Sequence, residues 1–342
     1  LFVLLPRSVK KVLVWHRGAL GDVLLSGPAL TALAAHYPEA CFTLLGAPSR
    51  LALLAANLPV AAIWDSQRAD WAHLFMPETR LPERLLKLLA DFDLAVIFSP
   101  QPRPQIAARL QEAGIRAVRW LPTFPSQEQV HVSRFQARHL KEWGINPMPG
   151  PFRLIMTPEA QAAAQVWYEA GSGGGKWSLP WVALAPGSGH RLKNWPLANY
   201  GELACRLQAG LGARVIWVAG PAEAKWRGKI EVLASAPGQH LLFDLPLPHL
   251  AAYLERCQLY VGGDSGITHL VAATGGPAVL ALFGPTDPQV WAPPGPQVTV
   301  LSCARRCAPC ARGREIPCPS AACWEDLTVT QVYAAAVAAL GA

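Results

Sequence analysis

The sequence predicts an α/β protein built from two doubly wound domains, and three observations carry that reading. Short apolar runs of the kind that form fully buried strands alternate with helical patterns, which calls for parallel sheets. The alternation stops at Gly171-Ser172-Gly173-Gly174-Gly175 and then restarts. The length of 342 residues suits roughly two domains at 100–200 residues each.

Taken in order, Lys11–Trp15 reads as a strand, His16–Gly21 as a glycine-punctuated turn, and Asp22 to His36 as one helix. Cys41–Leu45 and Leu94–Phe98 read as further buried strands, with a helix over Pro82–Ala90 between them. Residues Ile97–Arg109 and Trp120–Gln129 read as loops. The expected first domain is 1–170 and the expected linker 171–180, where glycine removes the steric restriction on φ.

A second series then runs without a gap. Strands are expected at Trp181–Ala185, Ala213–Ala219, Leu241–Phe243, Leu259–Val261 and Ala278–Phe283. Helices are expected between them at Pro196–Ala209, Glu223–Ala234, Pro248–Arg256 and Ser265–Ala273. The second domain is expected over 181–325, followed by a C-terminal segment 326–342 whose helix, Thr330–Leu340, suits either domain. Two such halves would face each other across a cleft at the carboxyl ends of their strands, where open α/β folds bind ligands.

Composition narrows the function. Hydrophobic residues make up 51% and charged residues 15%, which excludes a disordered chain. The net charge of +7 is spread, +4 over residues 1–170 and +3 over 171–342. Without a clustered basic stripe or a readable module, nucleic acid is not an expected partner. A mild attraction to an anionic substrate or anionic lipid fits better. Mean hydropathy is positive, but the longest apolar stretches are broken by Asn57 and Pro59 or by Gly275, Gly276 and Pro277. Neither reaches the roughly 20 residues of a membrane span. Leu1–Pro6 is too short for a signal sequence, so a cytoplasmic protein is expected.

Three loops carry chemistry. Arg17-Gly18-Ala19-Leu20-Gly21-Asp22 lies between a strand and a helix, yet G-x-x-G is not the dinucleotide spacing G-x-G-x-x-G. Asp22 is either a helix cap or a carboxylate held as a general base. Ala185 to Pro196 offers Gly187 for close backbone approach, the Ser188 hydroxyl as a donor and Lys193 as a mobile cation, a set suited to a diphosphate. No G-x-x-x-x-G-K-[ST] run exists, which disfavours a P-loop ATPase. Val261 to His269 joins a strand to a helix, with Asp264 or Ser265 at the cap. Asp264 is expected to cap or to accept from sugar hydroxyls, while Ser265, Gly266 and the helix N–H groups meet phosphate. His269, one turn on, is either a structural histidine or part of the same rim, and Thr286 in Gly284-Pro285-Thr286-Asp287-Pro288 comes near it.

Five of the eight cysteines fall late, at Cys303, Cys307, Cys310, Cys318 and Cys323. Only Cys307 and Cys310 form a C-x-x-C pair, so reduced thiols are expected and no metal is assigned, with zinc as the alternative. Arg305, Arg306, Arg312 and Arg314 make this loop locally basic, which reads as a solvated surface.

Together, Arg17–Asp22, Pro186–Pro196, Asp264-Ser265-Gly266-Ile267-Thr268-His269-Leu270 and Phe283-Gly284-Pro285-Thr286-Asp287-Pro288 resemble glycosyltransferase family 9, the lipopolysaccharide heptosyltransferases, from Val12 to the final helix. The resemblance implies a GT-B fold of two Rossmann-like domains, with the acceptor on the first and a nucleotide sugar on the second. It implies an inverting transfer of heptose from ADP-heptose to a Kdo or heptose acceptor of the inner core. Asp22 would be the base and Lys193 the diphosphate cation. Arg17, Gly18 and Gly21 would stand on the acceptor side. Gly187, Ser188, Asp264, Ser265, Gly266, His269 and Thr286 would contact the donor, with Glu223 holding the ribose. No metal cofactor is implied, and an anionic glycolipid acceptor would bring the enzyme to the inner face of the cytoplasmic membrane. Two alternatives remain: a UDP- or GDP-sugar transferase, and a non-catalytic nucleotide-sugar-binding protein.

Overall fold

The computed structural model describes residues 5–6, 8–76, 78–126, 128–147, 150–172, 179–311 and 315–341. The chain divides into two compact units, Leu1–Ile155 and Met156–Ala342. The division falls ahead of the expected end of the first domain because the helix Pro158–Ser172 packs on the helix Leu247–Glu255 of the second unit. The Tyr168 hydroxyl fastens it there by donating to Tyr253 O at 2.8 Å. Most of the expected glycine linker, residues 173–178, lies outside the described residues, as do Leu1–Leu4, Arg312 and Arg314.

The first unit is a parallel sheet of β1 (Lys11–His16), β2 (Cys41–Gly46), β3 (Val60–Asp65), β4 (Leu94–Ser99) and β5 (Ala117–Pro122), in the order β3-β2-β1-β4-β5. Its centre is apolar on both faces: Val12, Leu13, Val14, Leu44, Leu45 and Leu94 are fully buried. That burial explains the unbroken apolar runs of the central strands. The order reverses between β1 and β4, where His16 stands in register with Phe98.

The second unit is a six-stranded parallel sheet of β6 (Trp181–Ala185), β7 (Arg214–Ala219), β8 (Gln239–Phe243), β9 (Leu259–Gly263), β10 (Ala278–Phe283) and β11 (Val298–Ser302). Its order, β11-β10-β9-β6-β7-β8, is the 3-2-1-4-5-6 order of dinucleotide-binding folds counted from β6. The reversal falls between β6 and β9, where Ala185 is level with Gly262. One core holds Trp195, Trp217, Tyr200 and the last helix, Val329–Leu340. That helix packs on Leu197–Leu211, which settles its side. The fold is thus the expected α/β class with two doubly wound parallel sheets.

Several expectations need correction. The single helix over Asp22–His36 is two, Leu20–Leu25 and Gly27–His36, because Pro28 has no N–H to continue the ladder and the chain breaks at Ser26. Glu223 lies in a 3-10 turn, Pro221–Trp226, and the α-helix starts only at Arg227. The loop expected over Ile97–Arg109 runs into the helix Pro104–Glu112, which buries Arg109 and pairs it with Glu112 at 2.6 Å. Strands β3, β5 and β11 were not expected at all.

Candidate active site

The chemistry-bearing loop of the first unit leaves the carboxyl end of β1, and two of those in the second unit leave the carboxyl ends of β6 and β9, strands that flank the reversals, the position where this topology opens a crevice. The first-unit loop follows β1. Asp22 occupies the third position of the helix Leu20–Leu25 and reaches back, so that Oδ2 accepts the Ala19 N–H at 2.8 Å. It therefore does cap its helix, which leaves its role as a base to be argued separately. Asp22 is buried. Arg17 points outward and lies over the Phe75 ring, 5.9 Å from its centroid. Gly18 sits against both neighbours: a Cβ there would come 2.7 Å from Asp22 Cβ and 2.7 Å from His16 Cε1. Gly21 lies within the helix Leu20–Leu25, next to Asp22.

In the second unit the loop after β6 is held from inside. The Ser188 hydroxyl donates to Asn194 Oδ1 at 2.7 Å and accepts from the His190 N–H at 3.3 Å. Its proton is thus engaged within the loop rather than offered outward. Lys193 ends a short 3-10 turn and its Nζ lies 2.7 Å from Asp264 Oδ2. Asp264 is consequently an ion-pair partner and not the cap. Ser265 is the N-cap of Gly266–Thr274, accepting from the Thr268 N–H at 3.4 Å. The N–H groups of the first helical turn at Ser265–Gly266 are the fixed positive end of that helix.

Glu223 comes to the same place from β7. It is buried, its Oε2 accepts the Gly220 N–H at 2.7 Å, and burial pushes its carboxyl above the usual carboxylate range. A Cβ on Gly187 would fall 1.6 Å from Glu223 Oε1. Only glycine lets the loop after β6 close on that carboxylate. Gly263 is pinched in the same way, with a Cβ there 3.0 Å from Lys193 O. His269 is buried one turn into the helix, and Thr286 is buried after β10 with Oγ1 lacking a hydrogen-bond partner among the described residues. Gly187, Ser188, Lys193, Glu223, Asp264, Ser265, Gly266, His269 and Thr286 all belong to loops or helix starts at the carboxyl edge of this one sheet.

Sequence reasoning missed the supports. The Trp324 indole donates to Leu192 O at 2.9 Å and the Trp195 indole to Leu327 O at 2.9 Å. The segment after the cysteines therefore braces the loop that carries Lys193. A tryptophan pair 129 positions apart leaves no local signature. His16 was also missed, although its place as the last strand residue before a glycine loop is visible in the sequence. The cysteines are all free thiols. Cys303 is buried beside Cys323 and pushed up to about 12, while the backbone N–H groups of Ser320 to Ala322 hold Cys318 below its ordinary value. Among the described residues no group of three or more metal-ligating side chains comes together. Arg305 is not simply solvated, since it pairs with Asp326 and Glu325, each at 3.1 Å.

Among the described residues no helix is long and apolar enough to cross a membrane. The chain is 27% identical over 322 residues to lipopolysaccharide heptosyltransferase 1 of Pseudomonas aeruginosa, spanning 88% of this chain and 86% of that protein. Its fold matches a glycosyl transferase family 9 structure from Veillonella parvula with a TM-score of 0.76 at 19% identity, over 98% of this chain and 99% of the other. It also matches the ADP-heptose lipopolysaccharide heptosyltransferase II of E. coli, with a TM-score of 0.71 at 18% identity over 96% and 98% of the two chains. The family model for glycosyltransferase family 9 (heptosyltransferase) matches residues 106–318, which takes in every one of the second-unit loops just described. A doubly wound pair of sheets, the loop chemistry at the strand ends and a family match over more than half the sequence lead to one conclusion: the chain belongs to glycosyltransferase family 9 and is a glycosyltransferase.

Proposed function

We propose that this enzyme transfers a heptose from ADP-heptose to a Kdo or heptose hydroxyl of a lipopolysaccharide inner core, with inversion at the anomeric carbon. The observation that carries the proposal is the repeated placement of chemistry at the topological reversal: a carboxylate loop after β1 in one unit, a lysine loop and a helix N-terminus after β6 and β9 in the other. The 1–170 portion holds the acceptor, with Arg17, Gly18 and Gly21 lining its side. The 181–325 portion holds the donor, with 326–342 completing that unit. The relatives named above, whose own names specify heptosyl transfer and ADP-heptose, favour this donor and acceptor.

In the reaction Asp22 takes the proton of the acceptor hydroxyl as that oxygen attacks the anomeric carbon. The sugar–phosphate bond breaks on the opposite face, and ADP leaves with the electron pair. Lys193 turns from Asp264 to the diphosphate, and the N–H groups at Ser265–Gly266 receive its other oxygens. Asp264 and Glu223 then accept from sugar and ribose hydroxyls. Fixed cation and backbone dipoles supply the charge stabilisation, so the mechanism calls for no metal. The work is done in the cytoplasm, at the inner membrane face where an anionic glycolipid would present itself to a protein of charge +7.

The test is a thermal-shift panel with ADP, UDP, GDP and NAD, since a ligand at about 100 times its dissociation constant stabilises the fold by roughly 2.7 kcal/mol. A shift with ADP alone is expected. A shift with UDP or GDP instead would keep the transferase and discard the donor. Lys193→Ala is expected to abolish most of the ADP shift and to lower turnover.

A further inference from the structure

Resting on the assignment of Asp22 as the base, we infer that His16 is a positioning residue of the transfer reaction, its neutral imidazole holding the Gly18 N–H so that the Asp22 carboxylate keeps its direction. His16 ends β1, is 1% exposed, and its ring packs on that of Phe98 with centroids 4.9 Å apart. Its Nδ1 accepts the Gly18 N–H at 3.2 Å. An amide can only donate, so Nδ1 is the unprotonated nitrogen and Nε2 carries the hydrogen. Nε2 therefore donates to Ser26 Oγ at 3.1 Å. That oxygen also accepts from Gln136 Nε2 at 3.0 Å, and the same amide donates to Thr123 O at 3.0 Å. Gln136 is fully buried. The ring is thus held by Phe98 of β4 and by Ser26 at the break between the first two helices, and Gln136 of the helix Val132–Glu142 supports Ser26 in turn.

What the ring fixes in turn is the base loop. Gly18 lies between the His16 ring and the Asp22 side chain with no space for a methyl group on either side. Its carbonyl accepts from Arg50 Nη1 at 2.9 Å. The next amide, Ala19 N–H, goes to Asp22 Oδ2 at 2.8 Å. Consecutive N–H groups are therefore held by His16 and by Asp22, and a shift of one moves the other.

Two replacements separate the two nitrogens. Asparagine places an oxygen where Nδ1 stood and keeps the Gly18 bond. Glutamine places an N–H near Nε2 and keeps only the Ser26 bond. His16→Asn is expected to stay within about threefold of the parent kcat, while His16→Gln loses roughly 10- to 100-fold in kcat with the donor KM unchanged, the penalty for a misplaced reacting group. Amide exchange at Gly18 is expected to remain slow in His16→Asn and to become fast in His16→Gln. Full kcat in His16→Gln, equal losses in both variants, or an effect confined to donor KM would overturn the inference. If His16→Gln does not fold, a greater than tenfold kcat loss in a native-like His16→Asn overturns it, and a retained kcat there supports it. Asp22→Ala, measured in parallel, tells the two failures apart. Retained turnover in Asp22→Ala removes the base itself, whereas lost turnover there with indistinguishable His16 variants removes only the positioning role.

Discussion

Glu223, the proposed ribose ligand, shows at the scale of one residue how a carboxylate is held against the stability of the fold. Burial raises its carboxyl above the ordinary range, and the N–H groups of Gly220 and of Glu223 itself oppose that rise. A folded-state value above the unfolded one means that ionisation is disfavoured by folding, so stability declines as pH climbs from the unfolded carboxylate range through the raised one. Glu223→Gln keeps an acceptor for Gly220 and removes the buried charge. It is expected to raise Tm at neutral pH and to weaken ADP binding by roughly tenfold, the loss of a charged hydrogen-bond acceptor. Calorimetry with and without ADP checks both signs, and a variant that loses stability at pH 7 would contradict the account. Residue types at this site were legible in the sequence, but their partners were not. The sequence offers Asp264 as a cap or a sugar-hydroxyl acceptor, and the structure pairs it with Lys193 while Ser265 caps; the sequence offers Ser188 as a hydroxyl donor, and the structure turns that hydroxyl onto its own loop.

At the scale of elements, two braces decide whether the loops stand where they should. The Trp324 indole holds Leu192 O, and its ring packs on Gly284, where a Cβ would meet it at 2.7 Å. Trp324→Phe keeps most of the ring and removes the donor, leaving a buried carbonyl without its partner. It is expected to cost about 1–3 kcal/mol of unfolding free energy, measured by urea denaturation, and to loosen Lys193. In the first unit, Asp93 accepts the Lys10 N–H at 2.8 Å and the Lys11 N–H at 3.1 Å, which ties the start of β1 to the turn before β4. These amides hold its carboxyl below the ordinary range. The stabilisation is therefore complete above the unfolded value and lost as pH falls through the folded one. Asp93→Asn is expected to lower Tm at pH 7, with the gap to the parent closing in acid.

For the whole molecule, every central strand was legible in the sequence, together with one edge strand, β8. Strands β1, β2, β4, β6, β7, β9 and β10 are covered on both faces and so read as continuous apolar runs. The strands that escaped, β3, β5 and β11, are all at sheet edges. Val60–Asp65 is half-exposed throughout, and Ala117–Pro122 carries Arg119 and a terminal proline, so neither shows a strand's buried pattern. The division of the chain was hard to place for a related reason. The glycine run drew attention to residue 171, but what assigns the helix Pro158–Ser172 is its packing on Leu247–Glu255, a contact between segments far apart in sequence. The site loops were legible because each is glycine-rich and follows a central strand. Their bracing by Trp324 and His16 depends on tertiary contacts.

The proposed transfer depends most directly on Asp22. Single-turnover kinetics of Asp22→Ala with the nucleotide sugar and a Kdo-containing acceptor, run beside ADP binding to the same variant, measures its role directly. The expected result is loss of transfer by at least about 100-fold, the scale of general base catalysis, with ADP affinity within twofold of the parent. Transfer at a near-normal rate would show that the carboxylate after β1 is only a helix cap and that the base lies elsewhere.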